Sequence, residues 1–171
     1  SKNGSIKYKC SACGKTKTTT VYRIKTVKLS AKTLTYNGKV RKPTVKVTNS
    51  KGKTISSKYY TVTYPEGRKK VGSYKVKIKF TGRYKGTVYR TFKINPPKSY
   101  VTDLDGKSKA FKVKWKKKTA QTSGYQIRYS TSSTFKTKYT KTLKVKGYNH
   151  SYKTIKNLKA DKKYYVKVRT Y

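Results

Sequence analysis

The chain has 171 residues and a formal net charge of +43, from 47 Lys and Arg against 4 acids. Leu, Ile, Val and Phe supply only 30 residues, a level that with such charge ordinarily marks disorder, yet 18 Tyr and one Trp argue for a core. No apolar run approaches the ~20 residues of a membrane-spanning helix, no signal-peptide core follows Ser1, and one His with four scattered acids leaves little for general acid–base catalysis.

Residues 1–26 hold both cysteines, in Cys10-Ser11-Ala12-Cys13, followed by a Thr-rich run, and predict a short hairpin. Val45 and Val47 then flank Lys46. Tyr74, Val76, Ile78 and Phe80 alternate strictly with Lys75, Lys77 and Lys79. Phe111, Val113 and Trp115 alternate with Lys112, Lys114 and Lys116. Tyr125, Ile127 and Tyr129 alternate with Gln126 and Arg128, and Tyr164, Val166 and Val168 with Tyr165, Lys167 and Arg169. A period of two sends one set of side chains to a core and the other to water. Asn37-Gly38, Gly52, Pro65-Glu66-Gly67, Gly82 and Gly86 punctuate these runs as turns. No stretch carries a helical stripe, so the expected fold is all-β, with tyrosine rings supplying much of a small core. Consecutive prolines at Pro96-Pro97 remove two ladder donors and mark a linker. The expected organisation is a Cys-containing hairpin at 1–26, a domain at 27–95, a linker at 96–99 and a domain at 100–171.

Two resemblances follow from these residues. Leu34-Thr35-Tyr36-Asn37-Gly38-Lys39, Lys42-Pro43-Thr44-Val45-Lys46-Val47, Val71-Gly72-Ser73-Tyr74-Lys75-Val76 and Phe92-Lys93-Ile94 together resemble a bacterial immunoglobulin-like repeat, over about 27–95. Residues 98–171 resemble a fibronectin type III module. Trp115 is similar to that family's core Trp on strand B, and the Gly124–Ser130 segment to its strand C. Leu158 followed by Tyr164 is similar to its E–F corner. The resemblance implies two tandem β-sandwiches, of the kind found in secreted or cell-surface proteins of Gram-positive, gut-type bacteria. It implies a core of Trp115, Tyr125, Ile127, Leu158, Tyr164, Val166 and Val168, with the Tyr164 hydroxyl bonded back to the preceding loop. A complete module has a seventh strand after F, whereas this sequence ends at Tyr171. The edge of F is therefore expected to be open, or paired with another copy in an oligomer.

Candidate sites are few. Cys10 and Cys13 admit a disulfide, suited to an extracellular setting, half of a metal site whose other ligands come from elsewhere, or a redox pair. His150 and Asp161 fall in loops. Asp103-Leu104-Asp105-Gly106 reads as a turn, too poor in acids to hold calcium. No cofactor is implied. What remains is the charge. Lys75, Lys77, Lys79, Lys112, Lys114, Lys116, Lys167 and Arg169 are candidates for contact with polyanions such as teichoic acids, acidic glycans or anionic lipid surfaces. Specific nucleic-acid recognition is disfavoured, because the tyrosines fall at core positions. The function expected is a non-catalytic, extracellular binding or spacer module. Alternatives are a secreted type III ligand of a host receptor, as in irisin, and a redox or metal role at the cysteines.

Overall fold

The computed structural model describes residues 2–171. The chain divides into two compact units. One comprises residues up to Leu34 together with Val40–Ile94, the other Thr35–Lys39 together with Asn95–Tyr171. Both are built almost wholly of strands; among the described residues helical turns are confined to two 3-10 turns at Ser57–Tyr59 and Thr137–Tyr139.

In the first unit β1 (Gly4–Lys9) and β2 (Thr16–Val21) form an antiparallel hairpin, register Gly4 to Val21 through Lys9 to Thr16. β3 (Ile24–Leu29) pairs with β5 (Val45–Asn49) in one sheet. β4 (Thr33–Thr35), β6 (Tyr60–Thr63), β7 (Gly72–Phe80) and β8 (Thr87–Asn95) form another, in the order β4-β8-β7-β6. The inward positions of the alternating runs are buried: Val27, Val47, Val76, Ile78, Phe80, Phe92 and Ile94. Arg90 reaches from β8 to the other sheet, its Nε donating to the Val27 carbonyl at 2.7 Å.

The second unit is a two-sheet sandwich. β9 (Val101–Lys107), β10 (Ala110–Trp115) and β13 (Tyr152–Ile155) form one sheet with β10 in the centre. β11 (Gly124–Ser130), β12 (Thr140–Lys146) and β14 (Tyr165–Thr170) form the other with β11 in the centre. β14 pairs with β11 on one side, and among the described residues no strand pairs with its other side. Between the sheets lie Phe111, Val113, Trp115, Tyr125, Ile127, Ile155 and Val168, with Leu158, Tyr164 and Val166 packed around them, half-buried. Trp115 and Tyr125 meet across the interface at 5.1 Å between ring centroids. Their polar tips are both used. Trp115 Nε1 donates to the His150 carbonyl at 3.0 Å. The Tyr125 hydroxyl accepts the Lys118 amide at 2.7 Å and lies 3.0 Å from the carbonyls of Lys118 and Tyr148.

Two expectations need correction. Asp103 and Asp105 lie in no turn: they are on β9, and the chain reverses later, between Lys107 and Ala110, with Lys109 at φ 52°. Tyrosine also supplies less of the core than composition suggests. Tyr125 is fully buried, whereas Tyr60, Tyr74, Tyr129 and Tyr164 are half-buried and lean on Phe80, Phe92 and Phe111 from the rim. The cause is the phenol oxygen, which costs free energy to bury unless a partner is at hand.

Gly124 opens β11, opposite Lys146 of β12. A Cβ there would lie 2.3 Å from the Val145 carbonyl oxygen and 2.7 Å from the Tyr171 hydroxyl. Gly124→Ala is therefore expected to destabilise the chain by about 1–3 kcal/mol, read as a lower urea midpoint with an unchanged slope. At the corner before β14, the Tyr164 hydroxyl accepts the Lys159 amide at 3.2 Å. Tyr164→Phe removes that acceptor and is expected to cost about 0.5–1.5 kcal/mol in the same measurement.

Candidate functional site

The eight cationic candidates do not converge on one surface. Lys75, Lys77 and Lys79 are exposed along β7, where neutral residues face them. Thr91, Tyr89 and Thr87 stand opposite on β8, and Thr63 and Thr61 opposite Lys77 and Lys79 on β6. Lys75 Nζ lies 4.5 Å from the centroid of the Tyr89 ring, a cation–π contact that spares it a charged neighbour. Thr and Tyr thus dilute the charge of this face.

In the second unit the candidates fall on both sheets. Lys112 and Lys114 lie on β10, and the register places Asp105 opposite Lys112 and Asp103 opposite Lys114. Lys114 Nζ is 3.0 Å from an oxygen of Asp103. Half of the four acids of the chain are spent on this one outer face. The hydrogen bond from Lys114, then its charge, holds the Asp103 carboxyl below the usual carboxylate range. Lys116 is exposed just beyond the end of β10, where its amide donates to the Tyr100 carbonyl.

Lys167 and Arg169 project from β14 on the outer face of the other sheet. They are joined there by three cations that the alternating runs did not single out. Arg128 stands directly opposite Lys167, and Arg169 opposite Gln126, which in turn faces Lys144. Lys146 lies opposite Gly124. All five cations are exposed, and none of the four acids lies on these strands. Opposed like charges on neighbouring strands are destabilising. Aromatic rings compensate in part: Lys144 Nζ lies 5.8 Å from the centroid of the Tyr171 ring. The buried ring of Phe135, from the loop between β11 and β12, lies against both members of the opposed pair, with Lys167 Nζ at 4.1 Å and Arg128 Cζ at 5.7 Å from its centroid. Arg169 is oriented by Gln126, its Nε donating to Oε1 at 2.5 Å. The signal for Lys144 and Lys146 was present in Leu143-Lys144-Val145-Lys146, a short alternating run lacking aromatics.

Cys10 and Cys13 are both free and exposed, so no disulfide joins them. They occupy the turn between β1 and β2. The Cys10 amide donates to the Lys15 carbonyl at 2.8 Å, the Gly14 amide to the Cys10 carbonyl at 3.0 Å, and the Cys13 amide to Cys10 Sγ at 3.4 Å. Gly14 has φ 68°, in the left-handed region that closes such a turn. Bonding from the Cys13 thiol, and then from the Cys13 and Ala12 amides, lowers the Cys10 thiol pKa below its ordinary value. Among the described residues no three His, Cys, Asp or Glu side chains are grouped to hold a metal ion. Among the same residues no helix is long and apolar enough to cross a membrane.

Residues 95–171 match the family model of the fibronectin type III domain. No curated protein matches the chain. Among solved structures the chain is similar to the crystal structure of chicken CNTN1 FN1-FN3 domains, at 21% identity and a TM-score of 0.36. The similarity covers 59% of this chain and 36% of that one, so the chain spans about a third of the length of the structure it matches.

The Asp103–Lys114 pair is directly testable. Lys114→Gln is expected to raise the Asp103 carboxyl toward the usual range, followed by its side-chain NMR signal during an acid titration. The folded pKa is depressed, so the stability it contributes is present above the ordinary carboxylate range and lost as pH falls from there through the lower folded pKa. An unmoved titration would show that the pair is not formed in solution.

Proposed function

We propose that the chain is a non-catalytic, extracellular binding and spacer module of a larger secreted or cell-surface protein, and that it adheres to anionic polymers through the outer face of β12–β11–β14. The match of residues 95–171 to the type III family supports a binding or spacer role and a surface setting. The contact face rests on a different observation. Arg128 and Lys167 are held opposite each other among three further cations, with no carboxylate on the face. On β10 the same fold relieves its lysines with Asp103 and Asp105. A solvated face kept only for solubility gains nothing from leaving the first arrangement without a counter-charge, relieved only by aromatic contact, because mixed signs dissolve as well with less repulsion.

An arriving polyanion supplies the missing counter-charge. Cations two residues apart on one strand are separated by about 6.5 Å, and those on neighbouring strands by about 4.8 Å. That two-dimensional grid can follow an extended chain of phosphates, sulfates or carboxylates without requiring a pocket. Lysine, a flexible point charge, suits such diffuse attraction, while Arg128 and Arg169 add planar donors for individual oxyanions. Lys75, Lys77 and Lys79 on the first unit strengthen the long-range attraction without defining the face.

The test is binding of the whole chain to a glycerol-phosphate polymer and to a sulfated polysaccharide across a series of salt concentrations. The affinity is expected to fall linearly on logarithmic axes. Replacing Arg128, Lys167 and Arg169 together by Gln is expected to flatten that slope by about 2–3. Replacing Lys112, Lys114 and Lys116 together should change it less, since the first two already have acidic neighbours. Equal effects from the two triple variants would remove the assignment to this face. Salt-independent docking to a protein receptor, unaffected by either variant, would favour the receptor-ligand reading instead.

A further inference from the structure

One cleft of the second unit is lined by side chains that the outer cationic face does not use. It lies at the end of the sandwich where β11 runs out and has a volume of about 280 Å³. Its walls come from the end of β11, the start of β12 with the turn before it, and the loop between β13 and β14. We propose that it binds a single sugar ring bearing a carboxylate, a uronic acid residue of an acidic glycan. Tyrosine rings pack on the sugar and lysines hold its carboxylate.

Strand register builds the cleft. Tyr129 on β11 stands directly opposite Lys141 on β12, and two positions along Ile127 stands opposite Leu143. Ile127 and Leu143 belong to the core, so Tyr129 and Lys141 share the inner face. Lys141 is therefore a cation at an inward position, exposed where the sandwich ends. Tyr129 and Tyr164 are half-buried, 6.4 Å apart between ring centroids, and both lean on Phe111. Tyr139, on the turn entering β12, is 50% exposed.

These walls are fixed in advance. The buried Ser130 hydroxyl donates to the Tyr139 carbonyl at 2.9 Å and pins the turn that carries Lys138 and Tyr139. On the other side the Leu158 amide donates to the Lys109 carbonyl at 2.9 Å, and the Lys159 amide to the Tyr164 hydroxyl at 3.2 Å. A site already ordered loses less entropy on binding.

The ligand follows from the lining. Phenol rings are flat apolar panels with negative faces, against which the polarised C–H bonds of a sugar pack. The Tyr164 hydroxyl accepts from Lys159 and keeps its proton to donate. Burial, and then the neighbouring Tyr164, raises the Tyr129 phenol above its ordinary value, so it too stays a donor at neutral pH. Lys138, Lys141 and Lys159 line the same cleft, and none of the four acids does. A free phosphate would leave the rings unused, and an aromatic acid would leave the hydroxyls unused. The volume is just under the ~300 Å³ at which ligand pockets ordinarily begin, so one ring fits and a chain does not. An inward lysine also discourages pairing at the edge strand β12, but that role requires neither Tyr139 nor Lys159.

The test titrates the whole chain with methyl glucuronide at physiological salt, followed by backbone amide NMR shifts. Saturable, millimolar binding is expected, with the largest shifts at residues 138–141 and 157–159. Methyl glucoside, with a hydroxymethyl group in place of the carboxylate, should bind about tenfold more weakly. Lys141→Gln should weaken glucuronide binding by a similar factor, each change removing one charge-assisted hydrogen bond. Tyr139→Ala should weaken it about fivefold without altering the β-sheet circular dichroism, since that ring lies outside the core. Replacing Arg128, Lys167 and Arg169 together by Gln should leave it unchanged, which separates the cleft from the polyanion-binding face. Inorganic phosphate or benzoate binding at the same amides as tightly as the glucuronide would overturn the assignment to a sugar. Shifts lying elsewhere, or lost in the triple variant, would overturn the cleft as the site, and no saturable shift would overturn both.

Discussion

A chain carrying +43 can fold only where its cations are kept on one side of the backbone, and strand alternation is the device that does this. In the second unit the two sheets pack about 10 Å apart, and side chains on the outer faces point away from each other. Charges on opposite faces are then beyond the ~8 Å screening length at physiological salt. Repulsion becomes a problem of neighbours on the same sheet. The strands solve it in different ways: Thr and Tyr are set against the lysines of β7, acids against those of β10. The face of β12–β11–β14 is where the solution is incomplete, with Phe135 giving only partial relief.

That arrangement depends on an inner layer that holds both sheets in register, and in the second unit the Trp115–Tyr125 contact does so. Large rings on the central strands β10 and β11 fill the space that the low aliphatic content leaves. Each ring also carries a polar tip satisfied by a loop: Trp115 by His150, and Tyr125 by Lys118 and Tyr148. Packing and loop position are therefore coupled through the same two residues. Tyr164 makes a weaker version of this arrangement at the other end, leaning on Phe111 while its hydroxyl holds the Lys159 amide.

Much of the fold was legible in the residues. The runs at Tyr74–Phe80, Phe111–Trp115 and Tyr125–Tyr129 became central strands, because alternation with large inward residues is a local property. The all-β class followed from the same pattern, the hairpin at β1–β2 was read from the cysteine pair and the Thr-rich run, and the core around Trp115 was implied by the type III resemblance. Asp103 and Asp105 misled, because Asp-Gly reads as a turn until a partner strand offers lysines at matching positions. The half-buried tyrosines were overcounted as core, because composition does not say which phenol oxygen will find a partner.

The charged surface divides the same way. Sequence alone determined that the chain is strongly basic, that its cations alternate with apolar residues, and that two cysteines stand three apart, since all of these are properties of neighbours along the backbone. Which lysines are neutralised, and which are left facing another cation, was decided by strand pairing. Lys112 and Lys167 look alike in sequence, each flanked by inward apolar residues. Pairing sets one against Asp105 and the other against Arg128, because register joins residues that lie seven positions apart in one case and 39 in the other. Cross-strand distance sets the sign and size of an electrostatic interaction, and separation along the chain does not reveal it.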